Sequence, residues 1–245
     1  MKVVLMVKRH ITQRPEKAQK ESSATGFRKK SVLLKTARGR KNSSQRWLQR
    51  QLNDPYVQQA QTLGLRSRAA FKLLEINEKF DLIKPNSIIV DLGAAPGGWS
   101  QIAGQLIKKA QGKGHVFALD LLLMDALDHV TFLQGDFLDP DYKQQLRAML
   151  PGPVDFVMSD MAAATTGHSN TDHLRTILLA ETAYNFAKET LAPGGNFITK
   201  VFAGGTHKEL LDVLKHDFKI VKHFKPPASR KESPETYVVC LGFRS

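Results

Sequence analysis

Four aspartates carry the first chemistry legible in this chain. Asp91 closes the run Ile88-Ile89-Val90, Asp120 ends G-H-V-F-A-L, Asp136 follows V-T-F-L-Q-G and Asp160 follows V-D-F-V-M-S. Each run is short, apolar and rich in β-branched or aromatic residues, as a buried strand requires. If the strands are parallel, all four carboxylates lie along one carboxyl edge of a sheet, where α/β proteins bind ligands. A single acid there can simply cap a helix. Four in one crevice repel one another unless a cation or several hydrogen-bond donors sits among them. Magnesium is one such cation. An organic cation that also carries hydroxyls and an amine is the other. Cys240 is the lone cysteine, so the chain has no intrachain disulfide and no cysteine-based metal cluster. No metal-ligand set is assigned.

The stretch after Asp91 must position such a ligand. Residues 93–99 read G-A-A-P-G-G-W, a turn of small residues and one proline. Trp99, Ile102, Ala103, Leu106 and Ile107 then recur at helical spacing. Strand, tight glycine turn and helix place backbone N–H groups where they can hold a small anionic group. The turn lacks both the G-x-G-x-x-G pattern and the lysine of a phosphate-binding loop, which argues for an amino-acid carboxylate over a pyrophosphate and against a nicotinamide-dependent dehydrogenase.

The remaining elements follow from periodicity and breakers. Ser43 or Ser44 is expected to start a helix through Leu52 that ends at Asn53-Asp54-Pro55, with a short helix from Tyr56. Ser67 is expected to cap the amphipathic helix A-A-F-K-L-L-E-I-N-E-K-F, which contains Lys72. Helices are expected near 141–150, 172–191 and 207–216, and strands at N-F-I-T-K-V-F, 218–224 and 236–243. Alternating strands and helices specify a mainly parallel sheet covered on both faces. No helix separates the final two strands, so they should pair antiparallel. The expected fold is a seven-stranded Rossmann-like α/β sandwich with an antiparallel last strand.

Charge divides the chain differently. The first 50 residues hold 15 of the 36 lysines and arginines but only two of the 23 acids, Glu16 and Glu21; the rest of the chain holds 21 of each. The whole net charge of +13 therefore lies in the first fifth. Residues 1–42 are expected to be a disordered basic arm that binds a polyanion, most plausibly nucleic acid, and residues 43–245 a folded domain. No apolar run reaches 18 residues, so no membrane span is expected. With one cysteine, an intracellular, cytoplasmic protein is favoured; an Arg-rich, acid-poor start is also compatible with a transit peptide to the mitochondrial matrix.

Taken together, D-L-G-A-A-P-G-G-W-S-Q, F-L-Q-G-D-F, S-D-M-A and T-K-V-F, with K-T-A-R-G-R and S-R-A-A-F-K-L upstream, resemble the FtsJ-type ribosomal RNA 2′-O-methyltransferases. The resemblance covers roughly residues 35–245. It implies S-adenosyl-L-methionine as cofactor, held by Gly97 and Trp99 at the methionine end, Asp120 at the ribose, Asp136 at the adenine amino group and Asp160 near the sulfonium. It also implies a catalytic Lys-Asp-Lys-Glu tetrad on Lys72, Asp160, Lys200 and Glu235. A ribose 2′-hydroxyl is a poor nucleophile and must lose its proton as it attacks, which a lysine can accept only as the neutral amine. An apolar strand such as the one bearing Lys200 disfavours the charged form. The implied substrate is a uridine in 23S ribosomal RNA, within an assembled or assembling 50S subunit, and the implied enzyme acts as a monomer. Arg38, Arg40, Lys41 and Arg46 are expected to bind RNA phosphates. The competing expectation is a non-catalytic RNA-binding assembly factor on the same fold, which would have no need of all four tetrad residues.

Overall fold

The computed structural model describes residues 42–163, 166–203 and 208–244. The chain divides into two compact units, the first ending at Gly64 and the second starting at Leu65. Within the first, α1 (Asn42–Leu52) and α2 (Pro55–Thr62) meet at Asp54. Asp54 has extended backbone and its carboxylate accepts the Tyr56 N–H at 3.0 Å, while Pro55 fills the first helical position. That proline lacks the N–H that would otherwise be orphaned, so the helix boundary is written in two residues. Arg38, Arg40 and Lys41 lie outside the described residues, as does the remainder of the expected arm up to Lys41. Arg46 falls on α1.

The second unit is the α/β sandwich. In chain order it contains α3 (Ala69–Phe80), β1 (Ile88–Leu92), α4 (Gly98–Lys109), β2 (His115–Asp120), β3 (Val130–Gln134), α5 (Pro140–Met149) and β4 (Val154–Ser159). It continues with α6 (Ser169–Thr190), β5 (Leu191–Phe202), α7 (Lys208–Asp217), β6 (Phe218–Phe224) and β7 (Glu235–Phe243). The seven strands lie in the order β3-β2-β1-β4-β5-β7-β6. β1 to β5 are mutually parallel, and β7 runs antiparallel to both of its neighbours. The chain works outward from β1 to β3 and then returns to the far side of β1 at β4. This reversal makes the carboxyl ends of β1 and β4 the switch point where an open sheet leaves a crevice.

The core explains the strand sequences. Ile89, Val90 and Leu92 of β1, Val116, Ala118 and Leu119 of β2, and Phe156, Val157 and Met158 of β4 are all at most 1% exposed. Phe197, Phe218 and Phe243 form a chain of ring contacts at 5.3–6.3 Å, joined by Tyr184 from α6. Burying each such ring contributes roughly 1.5–3 kcal/mol. No helix among the described residues is long and apolar enough to cross a membrane.

Three local expectations need correction. Ser67 does not cap α3: the cap position is Arg68, in right-handed helical backbone and with no side-chain cap hydrogen bond. The Ser67 hydroxyl is buried without a partner among the described residues and is pressed against the backbone of Gly98, where a Cβ would stand only 2.3 Å from it. Pro193-Gly194-Gly195 does not precede β5 but lies inside it. β5 begins directly after α6, and its register with β4 jumps from Val154–Leu191 to Phe156–Asn196, so those residues bulge from the ladder. Finally, the acids are not level at the edge. Asp120 ends β2, Asp160 comes one residue after β4, Asp136 two after β3, and Asp91 lies inside β1, fully buried.

Candidate active site

The glycine turn forms where β1 hands over to α4. Gly97, at φ +103°, caps α4, and its N–H bonds the Ala94 carbonyl at 2.7 Å. A side chain here would be strained by that φ and would meet the Arg66 guanidinium and the Met124 sulfur at 2.7 Å. Arg66 ties two loops together. Its Nη1 donates to the Asp125 carbonyl at 2.8 Å and the Pro96 carbonyl at 3.3 Å, and its Nη2 to the Ala126 carbonyl at 2.9 Å. The Trp99 indole is buried, its N–H given to the Ala69 carbonyl at 2.9 Å, so what Trp99 presents at the turn is its backbone.

Asp120 braces the same region from β2. Its Oδ2 accepts the Ala95 N–H at 2.9 Å and its Oδ1 the Leu122 N–H at 2.8 Å, which fixes the carboxylate between the glycine turn and the following loop. Asp136 Oδ1 accepts the Leu138 N–H at 2.9 Å. Asp91 lies under the turn. Its Oδ2 accepts the Ser100 hydroxyl at 2.6 Å, while its Oδ1 is buried with no hydrogen-bond partner among the described residues. Burial foremost, with the carboxylates of Asp160 and Asp120 adding to it against the Ser100 hydrogen bond, raises the Asp91 carboxyl to about 7. Asp91 thus anchors the first turn of α4 from below.

Lys72, Asp160, Lys200 and Glu235 come from α3, the end of β4, β5 and β7, and they converge. Lys200 Nζ donates to both the Asp160 carbonyl, at 2.6 Å, and its Oδ1, at 3.1 Å. Lys72 Nζ lies 2.6 Å from Glu235 Oε1 and 4.0 Å from Asp160 Oδ2. Both lysines are only 7% exposed. Two ammonium groups and two carboxylates balance formally, which is how such charges tolerate burial. Burial by itself would raise the Asp160 carboxyl; the ammonium groups of Lys200 and Lys72, then the Tyr237 hydroxyl, outweigh it and hold Asp160 below the usual carboxylate range.

Sequence reasoning missed the hub of this cluster. Tyr237 is fully buried; its hydroxyl donates to Asp160 Oδ1 at 2.8 Å and accepts from Lys72 Nζ at 3.1 Å. Its ring also packs on Trp99 at 5.5 Å, linking the four charges to the glycine turn. Burial, then the carboxylates of Asp160 and Glu235, hold the phenol well above its ordinary pKa, so it stays a donor. The available signal was position: Tyr237 is two residues after Glu235, hence on the same face of a strand. Arg66 gave no such signal, because the partners of its guanidinium are all backbone carbonyls.

These residues fit an organic cation with a small carboxylate. Among the described residues, Asp136 Oδ2 and the second lone pairs of Asp120 remain for hydroxyl and amino donors, and Asp160 faces a positive neighbour. Among the described residues, no three His, Cys, Asp or Glu side chains converge as a metal site needs.

Comparison with known proteins bears on the same residues. The model of the FtsJ-like methyltransferase family matches residues 65–243. "Ribosomal RNA large subunit methyltransferase E" of Azorhizobium caulinodans is 59% identical over 213 residues, covering 87% of this chain and 89% of that protein. The protein of the same name from Paramagnetospirillum magneticum is 56% identical over 223 residues, covering 90% of this chain and 91% of its own. A crystal structure described as a ribosomal RNA methyltransferase from Plasmodium falciparum superposes with a TM-score of 0.65 at 31% identity, over 73% of this chain and 98% of that one. With its second unit matched almost end to end, the chain belongs to the FtsJ-like methyltransferase family.

Proposed function

We propose that this enzyme transfers a methyl group from S-adenosyl-L-methionine to the 2′-hydroxyl of a uridine in 23S ribosomal RNA, acting as a monomer on the assembled or assembling 50S subunit. The observation that carries the reading is the Lys200 amine, held on Asp160 beside a second lysine at the switch point of the sheet. A binding module gains nothing from burying two such charges. The names of the relatives support ribosomal RNA as the substrate class.

The cofactor supplies an electrophilic methyl group on a sulfonium. Asp120 would hold its ribose hydroxyls, Asp136 its adenine amino group, the Gly97–Trp99 backbone its methionine end, and Asp160 would face the positive centre. The chain's own work is on the nucleophile. Lys200 Nζ would take the 2′-hydroxyl proton as the oxygen attacks the methyl group that the sulfonium would supply and release. The proton ends on Nζ, where the Asp160 carboxylate and carbonyl already point at it. Lys72 is fixed by Glu235 and Tyr237 on the other side of Asp160. Fixing donor and acceptor in line supplies much of the acceleration.

The test uses large ribosomal subunits from cells lacking the gene, incubated with the protein and isotopically labelled cofactor. Nucleoside mass spectrometry should find a single new 2′-O-methyluridine. Lys200→Ala should abolish it while leaving cofactor binding, read by equilibrium dialysis, within about twofold. Label on a base, or near-normal turnover by Lys200→Ala, would sink the assignment.

A further inference from the structure

The row of side chains that carries Lys200 continues past the tetrad. Across the β5–β7 ladder Lys200 stands opposite Tyr237, and Phe202 stands opposite Glu235. Opposed residues in an antiparallel ladder share a face, as do residues two apart on a strand. Lys200, Tyr237, Glu235 and Phe202 therefore occupy one face, and the first three already meet around Asp160 and Lys72. Phe202 is the last residue of β5, so its ring stands at the carboxyl edge, outward of the Lys200 amine.

The core does not use this ring. Val201 beside it is 1% exposed, whereas Phe202 is half-buried and lies outside the main hydrophobic cluster. Its ring contact is His173, also half-buried, with centroids 6.4 Å apart and planes 27° from parallel. α6 connects β4 to the parallel strand β5, so its first turns, which carry His173, start at the same edge. Two accessible, nearly parallel rings thus stand next to the residue that receives the nucleophile.

Nucleotide chemistry gives that placement a use. The base hangs from C1′, the carbon bonded to the one that bears the 2′-hydroxyl. A hydroxyl delivered to Lys200 brings its own base to the immediate surroundings of the amine. Bases splayed from single-stranded RNA are characteristically held by stacking on aromatic side chains. We propose that Phe202, flanked by His173, is the stacking platform for the base of the nucleotide being methylated. This rests on the function proposed above and adds a substrate subsite to it. A π-face accepts any base, so the platform positions the ribose without choosing the base; selection falls to other contacts.

The test compares Phe202→Leu, which keeps apolar bulk but removes the π-face, with Phe202→Tyr, which keeps it. Methyl transfer to large subunits from cells lacking the gene gives kcat and KM for RNA; dialysis gives cofactor affinity, and thermal melts give stability. The expected result is a fall of roughly tenfold in kcat/KM for RNA in Phe202→Leu, with cofactor affinity and melting temperature unmoved and Phe202→Tyr restored to within about twofold of the parent. Unchanged kcat/KM in Phe202→Leu overturns the platform, as does equal damage in both variants. A parent enzyme that methylates no RNA overturns the functional reading, and the platform with it; an active parent with an equally active Phe202→Leu overturns the platform alone.

Discussion

A single oxygen separates tyrosine from phenylalanine, and at position 237 that oxygen is bonded to both Lys72 and Asp160. Tyr237→Phe removes the acceptor of one ammonium group and a donor to the carboxylate that steadies the other. Hydrogen bonds to charged groups are worth about 1.5–3 kcal/mol each, so a stability loss of that order is expected in denaturant melts. The turnover number should fall while cofactor affinity holds, because the phenol lies on the nucleophile's side of the cluster. An unchanged turnover number would show that the ion pairs alone order the site. Lys200→Arg asks a different question. Arginine keeps the positive charge but does not release its proton in proteins. If Lys200 acts as a base, Lys200→Arg is as inactive as Lys200→Ala in a single-turnover assay; if it acts only as a cation, Lys200→Arg retains substantial activity.

At the scale of elements, α4 is held to the sheet through a carboxyl that burial keeps from ionising easily. Unfolded, Asp91 loses its proton near 4; folded, it does so near 7. Between those values the native chain binds the extra proton, so stability falls as pH rises from about 4 to 7 and the penalty is fully present above it. Asp91→Asn keeps a partner for Ser100 and removes that titration. The melting temperature of the parent, measured against Asp91→Asn, should decline across this window, with a few kcal/mol at stake; parallel pH profiles would overturn the assignment. This element also marks what the sequence made legible. Apolar runs, the glycine turn and the Asp54-Pro55 boundary announced the sandwich, and β6 and β7 were readable as an antiparallel pair. That β7 lies between β5 and β6 was not readable, because both of its edges pair and local pattern does not rank neighbours. Nor was the fate of Ser67, which local propensity makes a cap and which contact with Gly98 turns toward the glycine loop. The convergence of Lys72, Lys200 and Glu235 followed from family resemblance and not from spacing, since the three lie on separate elements and meet only through packing.

For the molecule as a whole, charge and chemistry are segregated along the sequence. The tetrad, the acids and the glycine turn all lie beyond Leu65, in a part of the chain with balanced charge, and the excess of +13 belongs to the first 50 residues. Affinity for a polyanion and methyl transfer should therefore be separable. We propose that Arg38, Arg40, Lys41 and Arg46 contact RNA phosphates, an assignment that rests on this asymmetry. Each phosphate neutralised releases counterions, so the logarithm of the binding constant falls with the logarithm of salt by about 0.7 per contact for single strands and 0.9 for duplex. Replacing all four by alanine should flatten that slope by about 3 and raise KM for large subunits at physiological salt, with the turnover number at saturating substrate and the cofactor affinity unchanged. Filter binding across a salt series reads the slope, and the methyl-transfer assay reads the rest. A variant whose slope equals that of the parent would place the phosphate contacts on other basic residues. One whose turnover number collapses at saturating RNA would show that these side chains also align the target ribose with Lys200, joining two tasks that the charge distribution keeps apart.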